Sequence, residues 1–261
     1  MIEPIAVIST DFGVVTILGS PSNGCRIYAQ DDGWQSHADR AGVSLSYYVH
    51  ALYGLVAQAD ARTVLMIGCG GGILGSMLTA AGLAVTIVDI NPTSFSIARE
   101  FFALSPEIEC HACDGADFLR RHDRRYDVII VDAFNGGAIP KHLQSAEFFL
   151  LAQRRLNTAG HIFVNVLLDH DFDWTADDIA FSLAMTGLEI QMLDTQGDID
   201  RNAIVIGSGA GRLQPPTVLI VPDIQHEQIA DALGNMRFRT WRKSRPVKEM
   251  INYLVRMIAP E

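Results

Sequence analysis

The run Val64-Leu65-Met66-Ile67-Gly68-Cys69-Gly70-Gly71-Gly72 carries an apolar strand straight into a glycine-rich turn at the head of a helix. A ligand can lie against bare main chain in such a turn, where side chains would block it. The N–H groups at the helix start favour electronegative atoms such as a carboxylate. Asp89 ends the next apolar run, about twenty residues beyond the first glycine, where its carboxylate can accept hydrogen bonds from both hydroxyls of a ribose. Capping the following helix through Asn91 or Thr93 is the competing use of that turn. Asp114 and Asp132 stand at the ends of two further apolar runs. A dinucleotide pocket would require a glycine where Ile73 stands, which disfavours NAD.

The elements that must position these residues follow from periodicity. From Thr63 onward, short buried runs alternate with amphipathic segments, the pattern of a mostly parallel sheet with helices on both faces. Strands are expected at 64–67, 84–88, 107–111, 128–131, 162–167, 189–193 and 203–206, seven in all, with helices at 72–81, 93–104, 115–121, 143–156 and 175–185. The fold class is therefore α/β, Rossmann-like. Ahead of it, strand-like pieces at 5–9, 13–18 and 25–29 predict a small antiparallel β unit, followed by a helix at 47–58. The expected organisation is a β unit over 1–50 and a Rossmann-like domain over 51–261, whose extension adds a strand at 218–221 and helices at 224–233 and 247–257. Within that extension, Arg237, Arg239, Arg242, Lys243, Arg245 and Lys248 fall in a stretch without an acid. It reads as a solvated loop, or as a surface for a second subunit or an anionic group.

Composition bounds the partners. Apolar residues make up 49% of the 261, enough to fill a large core. A net charge of −10 argues against nucleic acid, whose binding depends on Lys and Arg contacts to phosphate. There is no basic-then-apolar leader and no apolar run approaching about 18 residues, so neither export nor a membrane is expected, and cytoplasm is the default. Four cysteines are too few for a disulfide scaffold. Cys110-His111-Ala112-Cys113 has half the spacing of a zinc site, but no second pair matches it, and no metal is expected.

Several segments together resemble one family. They are Asp31-Asp32-Gly33-Trp34-Gln35-Ser36, the glycine turn, Cys113-Asp114-Gly115-Ala116-Asp117, and Tyr126-Asp127-Val128-Ile129-Ile130-Val131-Asp132-Ala133-Phe134-Asn135-Gly136-Gly137. Ile139-Pro140, Glu147-Phe148-Phe149 and the run containing Asn165 extend the match. This set resembles the spermidine synthases, the polyamine aminopropyltransferases, within the class I S-adenosylmethionine-dependent methyltransferase fold. Gly68, Gly70 and Gly72 follow the glycine spacing common to that fold.

The resemblance implies S-adenosylmethionine or its decarboxylated form as cofactor, without a metal. Asp114 would hold the adenine amino group, Asp89 the ribose and Gln35 the region near the sulfonium. Asp132 would face the acceptor and orient or take up the proton of an attacking amine, with Tyr48 as a second catalytic candidate and Asn135, His50 and Asp169 as acceptor contacts. A homodimer built partly through the N-terminal β unit is also implied. The chain departs from the family pattern in three places. Gly71 replaces an aspartate that contacts the cofactor's amino group, Asn135 replaces the second acid of an Asp-x-x-Asp pair, and a Tyr-His-Glu segment is reduced to Tyr47-Tyr48-Val49-His50. Losing the first acid removes an obstacle to intact S-adenosylmethionine, and losing the second weakens the grip on a diamine. The expected reaction is in-line displacement at a carbon on sulfonium, moving an aminopropyl, related alkyl or methyl group to a small amine. A non-catalytic nucleotide-binding subunit that has lost its acceptor site is the alternative. The acids of Asp169-His170-Asp171-Phe172-Asp173 could hold a cation, or Asp173 or Thr175 could cap the next helix.

Overall fold

The structure is a computed structural model that describes residues 1–30, 33–135 and 137–243. Asp31, Asp32 and Gly136, the basic residues Arg245 and Lys248, and the helix expected at 247–257 lie outside the described residues. The chain opens with a four-stranded antiparallel meander: β1 (Glu3–Thr10), β2 (Gly13–Gly19), β3 (Arg26–Gln30) and β4 (Gly33–Ala38). Three of these strands are marked by apolar alternation; in β2, Val15 and Ile17 are buried while Val14 is exposed. The fourth was not expected, because Gly33-Trp34-Gln35-Ser36-His37 lacks that alternation and is ordered by pairing with β3.

Helix α1 (Tyr47–Gln58) leads into the main sheet, formed by β5 (Thr63–Ile67), β6 (Ala84–Asp89), β7 (Glu109–Ala112), β8 (Tyr126–Val131), β9 (Leu156–Leu168), β10 (Glu189–Asp194), β11 (Arg201–Ser208) and β12 (Arg237–Arg239). Their order is β12-β10-β11-β9-β8-β5-β6-β7. The five strands from β9 to β7 are parallel, and β11, β10 and β12 continue antiparallel. Helices α2 (Ile73–Ala80), α3 (Pro92–Phe101), α4 (Gly115–Arg121), α5 (Ala146–Arg154), α6 (Thr175–Ala184) and α7 (His226–Asn235) connect them. Alternate residues of one strand serve opposite faces. Val128 and Ile130 join a core with Leu52, Leu78, Phe95 and Leu233, while Ile129 and Val131 join another with Phe118, Phe149 and Leu183. The sheet is thus covered on both sides, which is why its central strands read as continuous apolar runs. Among the described residues no helix is long and apolar enough to cross a membrane.

Two expectations for the extension fail. Residues 218–221 form no strand; Val218 and Ile220 pack as an irregular segment against the core beside α1. Conversely Arg237–Arg239 is an eighth strand of the sheet, invisible as such because two of its three residues are arginines. Arg237 is exposed, but the Arg239 charge is not left to solvent. Arg239 bridges two carboxylates whose side chains are 0% exposed, donating to Asp177 at 3.0 and 3.1 Å and to Asp194 at 2.7 Å. Arg242 adds bonds to Asp177 and stacks on Trp174 at 4.1 Å, and Arg201 closes on Asp194 at 2.8 Å.

Burial pushes the Asp177 and Asp194 carboxyls up, but the arginine bonds outweigh it and hold both below the ordinary value. Carboxyls depressed in the folded state contribute stability that is whole above their unfolded value of about 3.9 and is lost as pH falls through the folded values. Substituting Arg239→Ala leaves two buried carboxylates short of a partner and is expected to cost about 3–5 kcal/mol in urea unfolding at neutral pH. The difference from the parent protein should shrink as the pH is lowered below about 4.

Candidate active site

The parallel strands deliver the predicted residues to one end of the sheet. Gly68 follows β5, with φ of 107°, and its N–H donates to the Val88 carbonyl at 2.8 Å. A Cβ there would lie 2.1 Å from the Asp132 carbonyl oxygen, so the close passage of β5 and β8 excludes any side chain. The rest of the turn is covered by the protein itself more than a bare cradle would be. Strand β4 lies over it: the Gly71 N–H donates to Ser36 Oγ at 2.9 Å, and a Cβ on Gly71 would come within 3.1 Å of both Phe102 and Ser36. A Cβ on Gly72 would meet Leu104. Of the turn residues, Cys69 and Gly70 line the neighbouring cavity, and a Cβ on Gly70 would lie 2.8 Å from Ser36 Oγ.

Asp89 ties the turn to its own strand end, accepting from Cys69 N at 2.7 Å and Asn91 N at 2.8 Å. The capping role falls to Asn91, whose side chain accepts from Thr93 N at 3.1 Å. Each Asp89 oxygen therefore keeps one acceptor position for a ribose hydroxyl. Burial raises this carboxyl, against the two N–H bonds that lower it. Asp114 caps α4, with Oδ1 accepting from Ala116 N and Asp117 N, while Oδ2 pairs with His142 Nε2 at 2.7 Å. Burial pushes Asp114 up, but these bonds hold it below its ordinary value. Nothing in the spacing around His142 announces that contact; the residue lies in a short helical turn, Lys141–Gln144, placed by the fold.

Between the glycine turn, β4, α1 and the ends of β8, β9 and β11 lies a cavity of about 590 Å³, in the range of small-molecule sites. Gln35, Tyr48, Gly70 and Asp132 line it, together with Asn165 and Asn202. Asp132 is the one charged side chain among the described residues of its wall. Asn165 Nδ2 donates to Asp132 Oδ1 at 2.8 Å, and Asn202 Nδ2 donates to Asn165 Oδ1 at 3.0 Å. Burial raises the Asp132 carboxyl above its ordinary value, and the Asn165 bond offsets this only in part. Tyr48 lines the same cavity, and burial, followed by the Asp132 charge, drives its hydroxyl well up, so it stays neutral.

The remaining predicted residues are not in this wall. Gly68 and Gly72 shape the turn behind it, and Asp89 and Asp114 stand along the strand ends outside it. His50 is buried, with Nε2 at 2.8 Å from the Ser44 carbonyl; burial lowers its pKa and keeps it neutral. Helical geometry explains this: Tyr48 and His50 are two residues apart on α1 and cannot share a face. Asn135 is exposed in a tight turn paired to Ala138, and Asp169 is exposed beyond the end of β9. Of the neighbouring acids, Asp171 pairs with Arg201 at 2.9 Å and Asp173 accepts from the N–H and hydroxyl of Thr175, the first residue of α6, whose N-cap position is Trp174 without a side-chain cap bond. No group of three metal-binding side chains occurs among the described residues. Ser36, His142 and Asn202 are the contributors that sequence reasoning missed.

Comparison with known proteins agrees with the fold. Residues 64–160 match the model of a methyltransferase domain. A polyamine aminopropyltransferase of Vibrio vulnificus is 31% identical over 137 residues, covering 48% of this chain and 46% of that protein. One from Chromobacterium violaceum is 35% identical over 124 residues, covering 45% and 48%. The matches thus span about half the length of these curated relatives. Among solved structures, a probable spermidine synthase from Corynebacterium glutamicum superposes with a TM-score of 0.73 at 15% identity over 90% of each chain. A spermidine synthase in complex with the transition state analogue AdoDATO gives 0.66 at 18%, over 88% of this chain and 84% of that one. At those identities the structures speak for the fold, and the sequence matches speak for about half of the chain. Taken together, they show a methyltransferase-domain match over residues 64–160, similarity to polyamine aminopropyltransferases over about half of the chain, and a fold shared with solved spermidine synthases.

Proposed function

We propose that the protein is an S-adenosylmethionine-type transferase that moves the aminopropyl group of decarboxylated S-adenosylmethionine to a small amine. The observation that carries this reading is Asp132, an ionisable carboxyl raised by burial, standing alone among neutral hydrogen-bonding groups beside the glycine turn. The relatives named as polyamine aminopropyltransferases support the same class of donor and acceptor. The residues present fit an adenosyl group, since Asp89 has acceptor positions to spare and Asp114 presents an oxygen to a donor such as His142 or an amino group.

When bound, a sulfonium supplies an electrophilic carbon whose bond to sulfur breaks as a bond to nitrogen forms, releasing a neutral thioether. The task of the chain is alignment and proton handling. Asp132 Oδ2 accepts an N–H of the incoming amine, aims its lone pair and takes the proton that the nitrogen must shed. Tyr48 donates nearby without competing for that proton. Alignment of this kind supplies up to about 7–11 kcal/mol of rate acceleration when the geometry is right. Homodimeric assembly through the N-terminal sheet belongs to the same reading, supported by Val7 and Val14, which are 66% and 50% exposed. So does a cytoplasmic protein without nucleic acid or membrane partners, supported by the charge of −10.

Gly71 favours a second reading. Phe102 and Ser36 fill the space where an aspartate side chain would extend, so no acid meets the donor's tail from that position. Intact S-adenosylmethionine, with its carboxylate, would then meet no repulsion there, and methyl transfer would follow.

Calorimetric titration with both donors separates the two readings: tighter binding of the decarboxylated form supports aminopropyl transfer, and binding of the intact form alone overturns it. Turnover of labelled donor over a panel of amines should fall by about 10²–10⁴ in Asp132→Asn with donor affinity retained. An equally active variant removes Asp132 from the mechanism, and a parent protein that binds donor but modifies no amine supports a non-catalytic role. Because protonation silences the base, the acid limb of kcat should lie above the ordinary carboxylate value of about 3.9. Substitution Asp89→Ala should weaken methylthioadenosine about 10- to 100-fold, the loss of charge-assisted bonds to ribose, read by the same calorimetry.

A further inference from the structure

Asn165 and Asn202 sit on one face of the β9–β11 pair. Ile204 stands opposite Asn165 and Leu167 opposite Asn202, which makes the two asparagines diagonal neighbours across the ladder. Their amides form a directed chain, from Asn202 Nδ2 to Asn165 Oδ1 at 3.0 Å and from Asn165 Nδ2 to Asp132 Oδ1 at 2.8 Å. The strand end that carries Asn202 is anchored in turn, its main-chain N–H donating to the Tyr47 hydroxyl of α1 at 2.8 Å. An ionised carboxylate only accepts, so Asp132 dictates the direction of the whole chain. Were the Asn165 amide turned over, its oxygen would face the carboxylate and its NH₂ group would face the NH₂ of Asn202. Both contacts would be repulsive. Asn202, by donating to Asn165 Oδ1, supports the donating orientation that the carboxylate imposes on Asn165.

We infer that Asn202 is a positioning residue that acts through Asn165, holding Asp132 with Oδ1 bound and Oδ2 presented to the incoming nucleophile. This rests on the reading of Asp132 as the acceptor-facing base. A relay of neutral amides suits that task, because an arginine or lysine in the same place would stabilise the carboxylate and weaken it as a base. The amides fix its orientation and leave it basic. Tyr48 is the titratable group that faces Asp132 from α1, and its raised hydroxyl stays neutral where the carboxyl titrates; the neighbours from β9 and β11 are the uncharged amides.

The test is a double-mutant cycle of Asn165→Ala and Asn202→Ala, read first by the ¹³C titration of the Asp132 carboxyl in ligand-free protein. The signal is assigned by its loss in Asp132→Asn. Removing Asn165 should move the midpoint up by about one pH unit, as expected for the loss of one hydrogen bond to a charged group. Removing Asn202 should move it the same way by less, and the double variant should match Asn165→Ala alone. Where turnover is measurable, the acid limb of kcat should shift with the carboxyl while KM for the donor stays constant. An unmoved midpoint in Asn202→Ala, with or without a lowered Tm, overturns the relay, and so does a double variant whose shift is the sum of the two singles. Since the titration needs no turnover, a protein that modifies no amine would refute the proposed reaction and still leave the relay judged on its own measurement.

Discussion

The ends of β5 and β8 pass so close that main chain from one fills the place of a side chain on the other. Gly68 exists to let Asp132 through, and the Asp132 N–H donates back to the Ile67 carbonyl at 2.9 Å. That contact fixes the distance between the glycine turn and the buried acid. A parallel sheet makes it possible, because adjacent strands deliver their carboxyl ends to the same edge, where ligands of such folds bind. Everything else at the site is arranged around it: β4 lies across the turn, α1 brings Tyr48, and the β9–β11 ladder brings the amides.

Charge is distributed unevenly along the one edge of the sheet at which β8 and β10 both end. Around Asp177 and Asp194, guanidinium groups satisfy each buried carboxylate several times over, and the carboxyls are depressed. Around Asp132 the partners are neutral, and the carboxyl is raised. Both acids of the first kind clamp β12 and the start of α6 to the sheet, a structural use. The second kind keeps its affinity for a proton, which suits the proton-accepting role proposed for it.

Much of this was legible beforehand. The central strands and helices follow from apolar periodicity, and α1 and α4 occupy the expected residues. Asp89, Asp114 and Asp132 stand at strand ends or at a helix start as expected, because a strand's last residue is marked by the end of its apolar run. What was not legible depends on long-range pairing. Strand β4 carries polar residues and exists by pairing with β3, so Ser36 could not be foreseen as the partner of Gly71. Strand β12 reads as a basic loop until Asp177 and Asp194 are brought to it from residues far back in the chain. His50 and Asp169 were expected as acceptor contacts, and helix phase and loop exposure place them elsewhere. Asn202 carries no local signal, since its role is set by a diagonal neighbour across a ladder.

The central claim is that the space beside Gly70 and Asp132 receives the sulfur end of an adenosyl group whose sugar rests on Asp89. A crystal structure with methylthioadenosine tests it most directly. The account predicts the ribose hydroxyls on the Asp89 carboxylate, the adenine amino group at Asp114 and the thioether sulfur at the cavity mouth between Gly70 and Asp132. A nucleoside bound elsewhere, or Ser36, Phe102 and the glycine turn closed against it, would contradict the account.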